Sequence, residues 1–462
     1  MLKEMTIEHF RGFYEPKTIS FAQPTGVYGS GLTVLVGPNN SGKTTVIDAL
    51  RLLTRDTAPI EIEHRHEGKQ VRLSVTSTSD QIKVLTNPDL GATTVVEGDV
   101  KALEVGNLRY VPSRRGWSAF TGHTRMEEGG YWHNLSGYRQ PTDEFLVARL
   151  AAFSLDEKSM YHRSLAKLIP QISDWRIDLS RGQLFIQYTT QTGAKHSADL
   201  FGDGMASLFR ITLAVHDARV REGQAEQCIA IDEPELSLHP PAQKRLARYL
   251  AEIACNRQVI VTTHSPYFID WDDLIAGARI YRLAYRNIGI DARALAAETI
   301  ESVGTFFNDW QKPNLLDPVA REIFFADSAV FFEGQEDIGL LRKFARERKI
   351  EPLEIFGYGV GGAGNLKLFL RMASELGLRT CAIYDGDKKA EMEEAAKLFP
   401  DFMIECLVEA DIRDKMKRDV GNRETNIVDK AGIFDRAGNI KPEYEKYLVN
   451  LMARIRVYLS GA

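Results

Sequence analysis

Gly37-Pro38-Asn39-Asn40-Ser41-Gly42-Lys43-Thr44 matches the pattern GxxxxGK[ST], and these residue types at this spacing imply one chemistry. Glycines let backbone N–H groups curl around phosphate oxygens, Lys43 reaches the β- and γ-phosphates, and Thr44 gives its hydroxyl to Mg²⁺. The motif follows an apolar run, LTVLVG, and precedes VIDALRLL, which has helical spacing. A helix N-terminus therefore adds positive potential to the phosphate site. Gly37, Asn39, Asn40, Ser41, Gly42, Lys43, Thr44 and Thr45 are the expected contacts to ATP. A second apolar run, Cys228 to Ile231, ends in Asp232 and Glu233. Asp232 is expected to hold Mg²⁺ through water, and Glu233 to orient or deprotonate the attacking water.

A separate set of carboxylates lies in the last third of the chain. The apolar run Ala329 to Phe332 ends at Glu333, with Asp337 four residues on, and the run Thr380 to Tyr384 ends in Asp385-Gly386-Asp387. Residues four apart share a helix face, so Glu333 and Asp337 are expected to converge. In a parallel sheet the carboxyl ends of neighbouring strands lie on one edge, where ligands bind. Four carboxylates there repel one another unless divalent cations neutralise them, and hard oxygen ligands suit Mg²⁺ or Mn²⁺. A centre of this kind activates water and stabilises the leaving oxygen in phosphodiester cleavage. Glu333, Asp337, Asp385 and Asp387 are its expected metal ligands.

The elements that must position these groups alternate between strand and helix. LKEMTIEHF, KTISF and LTVLVG read as strands, residues 69 to 100 as an antiparallel patch, 107 to 142 mostly as loop, and 143 to 170 as helical. Strand LFIQYT, helix SLFRITLAVHDARVREG, strand CIAID, helix PAQKRLARYLAEIA and strand QVIVTTH follow. A new alternation begins near residue 328. The expected fold class is α/β, with mixed sheets in a first domain and a smaller parallel unit after it. The expected boundaries are 1–300, with an insertion at about 57–170, a connector at 301–325, and 326–462.

The chain has 462 residues, a formal net charge of -5 and 26% charged residues. A protein that grips nucleic acid over its whole surface is basic, so any DNA contact here must use local basic patches. The four cysteines form no CxxC pair, and Cys228, Cys381 and Cys406 lie in apolar runs that suggest buried thiols and a reducing compartment. No apolar run approaches a membrane span and the N-terminus lacks a secretion-signal pattern, so the expectation is a cytoplasmic protein with no membrane partner.

Beyond the phosphate motif, Glu235-Leu236-Ser237-Leu238-His239-Pro240 resembles the D-loop of ABC-type ATPases, and Thr262-Thr263-His264-Ser265-Pro266 resembles their switch-histidine strand end. The resemblance implies that His264 reaches the γ-phosphate, that Arg11 lies near the nucleotide, and that Arg114 and Arg115 lie near the core. It implies a signature loop at Leu200 to Met205, with Gly204 and a helix N-terminus facing a γ-phosphate. Gly202 stands where the family usually has serine. Such heads close nucleotide sites between two copies, so a homodimer or higher oligomer is expected. The strand-end Glu333, the Gly359 to Gly364 turn and the Asp385-x-Asp387 motif resemble the TOPRIM fold. An ABC-type ATPase followed by TOPRIM is similar to the OLD (overcoming lysogenisation defect) family, a resemblance covering most of the chain. It implies DNA cleavage dependent on Mg²⁺ or Mn²⁺, often in antiphage defence, with a separate defence partner protein possible.

Besides Gly202, one departure from that family stands out. Its Asp-Ile-Glu stretch is here Asp411-Ile412-Arg413, which leaves Asp411 or Asp414 as the substitute acid. A family lysine corresponds to Lys430. These departures keep a second reading open, an ATP-switched scaffold or sensor whose TOPRIM part holds a partner. A RecF-like repair ATPase is a third, against which the second α/β unit argues.

Overall fold

The computed structural model describes residues 1–54, 66, 68–87, 94–100, 108–113, 147, 149–180, 183–197, 203–220, 228–286, 289–307, 320–350, 356–418 and 427–461. It divides into two compact units, Met1–Ala292 and Arg293–Ala462. Arg114, Arg115 and Gly202 lie outside the described residues.

The first unit is organised by a six-stranded sheet in the order Gly289–Ala294, Arg279–Arg286, Leu32–Val36, Gln258–Thr263, Cys228–Asp232, Leu108–Val111. Every residue of Leu32–Val36, Cys228–Asp232 and Gln258–Thr263 is buried, which is why these segments read as unbroken apolar runs rather than alternations. The three run parallel. Their register sets Val36 opposite Thr263 and Asp232 opposite Thr262, so the phosphate loop and the acidic strand end leave the same edge of the sheet. A five-stranded antiparallel sheet and a three-stranded one complete the unit, making it a mixed α/β assembly.

Two segments depart from the sequence reading. Leu108–Val111, expected as loop, is an edge strand parallel to Cys228–Asp232, with Arg109 fully buried. The strand Ile172–Ser180, where no element was expected, alternates apolar and polar residues from Asp174 on, after a register shift between Ile172 and Asp174. Trp175 still turns inward, edge-on to Tyr161, whose hydroxyl donates to the Phe209 carbonyl at 2.8 Å.

The second unit holds a four-stranded, all-parallel sheet in the order Phe356–Gly359, Ser328–Phe332, Arg379–Tyr384, Met403–Cys406. The helices Gln335–Glu347, Ala363–Glu375 and Lys389–Leu398 alternate with these strands, and Glu445–Ser460 buries Leu448, Leu451, Met452 and Ile455 in the same core. The helix Ala297–Phe307 belongs to this unit. The Glu375 carboxylate accepts from Ala296 N at 2.8 Å and from Thr299 Oγ1 at 2.6 Å, capping the helix start. Cys228 and Cys381 are buried thiols, whereas Cys255 and Cys406 are only partly covered, and all four are free. Among the described residues no helix is long and apolar enough to cross a membrane.

Candidate functional site

In the first unit a cleft of roughly 670 Å³ opens over the phosphate loop. Asn39, Asn40, Ser41, Gly42, Lys43, Thr44, Thr45, Arg11, Glu233 and His264 all line it. Gly37 starts the loop at φ 145°, and a Cβ there would lie 2.1 Å from the Leu283 carbonyl oxygen, so only glycine fits. Lys43 opens the helix Lys43–Leu53, and its Nζ donates to the Gly37 and Pro38 carbonyls at 3.0 and 2.8 Å. Burial pulls this ammonium below its ordinary range, against the pull of Glu233 and Asp232. Its Nζ is held where phosphate oxygens are expected.

The acidic strand end converges on the same place. Thr44 Oγ1 donates to both Asp232 oxygens, at 3.2 and 3.3 Å, which puts the hydroxyl and carboxylate expected around Mg²⁺ side by side. Two hard oxygen donors beside a lysine and a helix start fit a magnesium nucleotide. Glu233 leaves the strand with φ 46°, and its N–H donates to Thr262 O and Thr262 Oγ1, each at 3.0 Å. This turn aims the carboxylate back into the cleft, where Oε1 lies 3.5 Å from His264 Nε2. Burial, then the charge of Lys43, lowers the imidazole's proton affinity, so His264 is neutral near pH 7.

Arg11, also at positive φ, lines the cleft while its Nη1 donates to Asp48 Oδ2 at 2.7 Å. Gly204 does not line this cleft; it packs against the Ser237 carbonyl. Gly12, Tyr285 and Ile290 do line it, although no motif marked them. Tyr285 and Ile290 come from the strands Arg279–Arg286 and Gly289–Ala294, and Gly12 follows Arg11 in the chain.

In the second unit, Glu333 and Asp385 leave neighbouring parallel strands, with Phe332 registered opposite Ile383. Glu333 Oε1 accepts from the Asp385 N–H at 2.9 Å, and the Ala363 N–H also donates to this carboxylate. The glycine turn packs close against the residues that follow Glu333: a Cβ on Gly359 would lie 2.2 Å from Gln335 N. Asp337 does not turn alongside Glu333. The helix starts only at Gln335, so the four-residue helical rule does not reach Glu333, and the Asp337 carboxylate instead accepts from Gly334 N at 2.8 Å as a cap. That places it in a cluster with Glu336 and Asp411, their ligand oxygens all within 4.8 Å of one another. Asp411 is thus the nearby acid of its stretch. Asp414 is held elsewhere, by Gly432 N at 2.7 Å and Lys441 at 2.9 Å.

Burial raises the Glu333 carboxyl, raises Asp337 to about 7, and raises Asp385 to about 8, the last helped by the charges of Glu333, Asp411 and Asp337. Carboxyls forced toward protonation by burial and by one another fit a divalent cation, which relieves both effects. Some charge is already met by cations. Lys430 pairs with Asp387 at 2.7 Å, Arg413 with Glu336 at 3.1 Å, and Lys415 with both Glu336 and Asp411. Lys430 and Arg413 had been singled out from the family resemblance, whereas Glu336 and Lys415 had not.

A pH dependence follows with a definite sign. Unfolded Asp loses its proton near pH 4, whereas Asp337 and Asp385 in the fold keep theirs to about 7 and about 8. The metal-free fold therefore loses stability as pH rises through that interval, because the unfolded chain sheds those protons first. Mn²⁺ must displace the same protons, so its affinity is expected to rise from about pH 6 to about pH 8.5, roughly tenfold per pH unit for each proton released. Calorimetry in buffers of different ionisation enthalpy measures this. A pH-independent affinity with no proton release would contradict it.

The chain is similar to several known proteins. The family described as "Overcoming lysogenization defect protein-like, TOPRIM domain" matches residues 324–387, an AAA domain family matches 4–99, and an AAA ATPase domain family matches 150–269. A curated relative, the OLD nuclease of Thermus scotoductus, is 22% identical over 448 residues, spanning 84% of this chain and 82% of its own. Similar solved structures include the SMC head domain from Thermotoga maritima, with TM-score 0.41 and 15% identity over 64% of this chain and 99% of that one. Another is the Smc head domain with an extended coiled coil bound to the C-terminal domain of ScpA, from Pyrococcus furiosus, with TM-score 0.45 and 12% identity over 67% and 99%.

Proposed function

We propose that this chain, an OLD-family protein that joins an ATPase unit to a TOPRIM domain, is an ATP-regulated, divalent-metal-dependent DNA endonuclease. The observation that carries the nuclease half is the direct contact between Glu333 and Asp385 across neighbouring parallel strand ends, with Asp387 and Asp411 nearby. Glu333, Asp385 and Asp387 would hold Mg²⁺ or Mn²⁺, and Asp337 and Asp411 extend the acidic edge. When bound, the ion supplies charge neutralisation and an activated water for phosphodiester hydrolysis. In the other unit Lys43 and Thr44 bind the triphosphate and its Mg²⁺ with Asp232, Glu233 takes a proton from the attacking water, and neutral His264 donates to the γ-phosphate. Two copies close over their nucleotides, with Gly204 toward the partner copy, and a role in antiphage defence fits the family.

Supercoiled plasmid incubated with the protein and Mn²⁺ or Mg²⁺, with and without ATP, is expected to be nicked. Plasmid left intact under every combination would remove the nuclease assignment. One observation favours a second reading, an ATP-switched scaffold. Arg413 and Lys415 on Glu336, and Lys430 on Asp387, neutralise part of the acidic edge without any metal. A second unit that takes up no Mn²⁺ in calorimetry would support the scaffold.

A further inference from the structure

The turn after the acidic strand end is tied twice to the loop that carries His264. On one side, Glu235 Oε1 accepts from the His264 N–H at 2.6 Å. On the other, Gln243, in the helix Pro240–Ile253, uses both ends of its amide. Its Nε2 donates to the Leu238 carbonyl at 2.8 Å, and its Oε1 accepts from Ser265 Oγ at 2.7 Å. The two ties bracket the backbone of His264. Ser265 is itself buried and its N–H donates to Thr263 Oγ1 at 3.0 Å, so the loop has little freedom to move separately from the turn.

The same turn is pressed from its far side by the start of another helix. A Cβ on Gly204, in the first turn of Asp203–Val220, would lie 2.4 Å from Ser237 O and 3.1 Å from Leu238 Cδ2. Gly204 has no positive φ, so close backbone approach rather than unusual conformation calls for glycine here. A continuous chain of contacts therefore runs from the helix start through Ser237, Leu238 O, Gln243 and Ser265 to His264, whose Nε2 faces Glu233 at 3.5 Å.

We propose that Gln243 is a positioning residue for ATP hydrolysis, locking His264 to the turn Glu235–Leu238 so that a shift of the helix start at Gly204 is read at the switch histidine. This rests on the ATPase reading. It adds that the surface offered to a second copy of this chain is linked, within one chain, to that chain's own hydrolytic machinery. Without the amide, the triphosphate still has Lys43 and Thr44, but the histidine loop loses one of its two anchors. Binding survives and turnover falls.

The test uses the full chain and compares wild type with Gln243→Leu, which removes both hydrogen bonds, and with Ser265→Ala, which removes one of them without touching the helix. The readouts are ATP turnover, affinity for a fluorescent ATP analogue, and thermal melting. The expected result is a kcat fall of roughly ten- to a hundredfold, the loss that small misplacements of catalytic groups produce, with affinity held within about threefold. In a His264→Ala background, Gln243→Leu is expected to lower kcat by less than about twofold, since residues acting through one another are not additive. Unchanged kcat in both variants would overturn the proposal. So would an equal loss in the His264→Ala background, or affinity and melting temperature falling in step with kcat. Wild-type turnover that survives Lys43→Ala would instead remove the ATPase assignment, and the role of Gln243 with it.

Discussion

Glu233→Gln is expected to reduce ATP turnover by roughly a hundred- to ten thousandfold, the span attributable to a general base, while ATP binding stays near wild type. The substitution preserves size and shape. The backbone at Glu233 is set by its N–H bonds to Thr262 and by a φ of 46°, and neither depends on the carboxylate. What is lost is the ability to accept a proton from water, and the charge 3.5 Å from His264 Nε2. Lys43 and Thr44, the residues proposed to hold the triphosphate and its Mg²⁺, are untouched. The variant should therefore hold nucleotide without releasing phosphate, and if ATP closes two heads it should accumulate as a dimer. Phosphate-release kinetics alongside binding of a fluorescent ATP analogue measure both halves. Turnover within about tenfold of wild type would assign the base to another group.

Asp385→Asn is expected to abolish plasmid nicking, by at least about a hundredfold, and to leave ATP turnover unchanged, because the substitution lies in the other compact unit. The Asp385 N–H still donates to Glu333, so the strand ends stay together. The charge proposed to hold the cation is gone. A second effect has the opposite direction. In the metal-free protein Asp385 is held near pKa 8 by burial and by Glu333, Asp411 and Asp337, so its ionised form is a cost to the fold. The neutral amide removes that cost. The metal-free variant should thus melt at a higher temperature than wild type above about pH 8, yet gain nothing from Mn²⁺. A variant that nicks like wild type, or is still stabilised by Mn²⁺, would show that the cation sits elsewhere.

Much of this was legible in the residues. The phosphate loop and the strand ending at Asp232 carry their signal locally, because buried parallel strands are uniformly apolar and the loop's glycines answer to backbone geometry. The α/β alternation of the second unit was readable for the same reason. Side-chain direction at helix starts was less legible. Asp337 was expected beside Glu333, but the helix begins two residues after Glu333, and a carboxylate at the third helical position turns back to cap the end. The partners of Glu336 and Asp387 come from strands roughly forty to eighty residues downstream, and pairing at that separation leaves no periodic trace. Leu108–Val111 was read as loop because its neighbours are rich in glycine and arginine. Its place as an edge strand is decided by Cys228–Asp232, far along the chain.

The most direct test is the conversion of supercoiled plasmid to nicked circles by wild type and Asp385→Asn, in Mn²⁺, with and without ATP. The prediction is that wild type nicks, that ATP changes its rate, and that Asp385→Asn leaves the plasmid supercoiled. Identical products from the two proteins would contradict the assignment of the acidic strand ends as the cutting site.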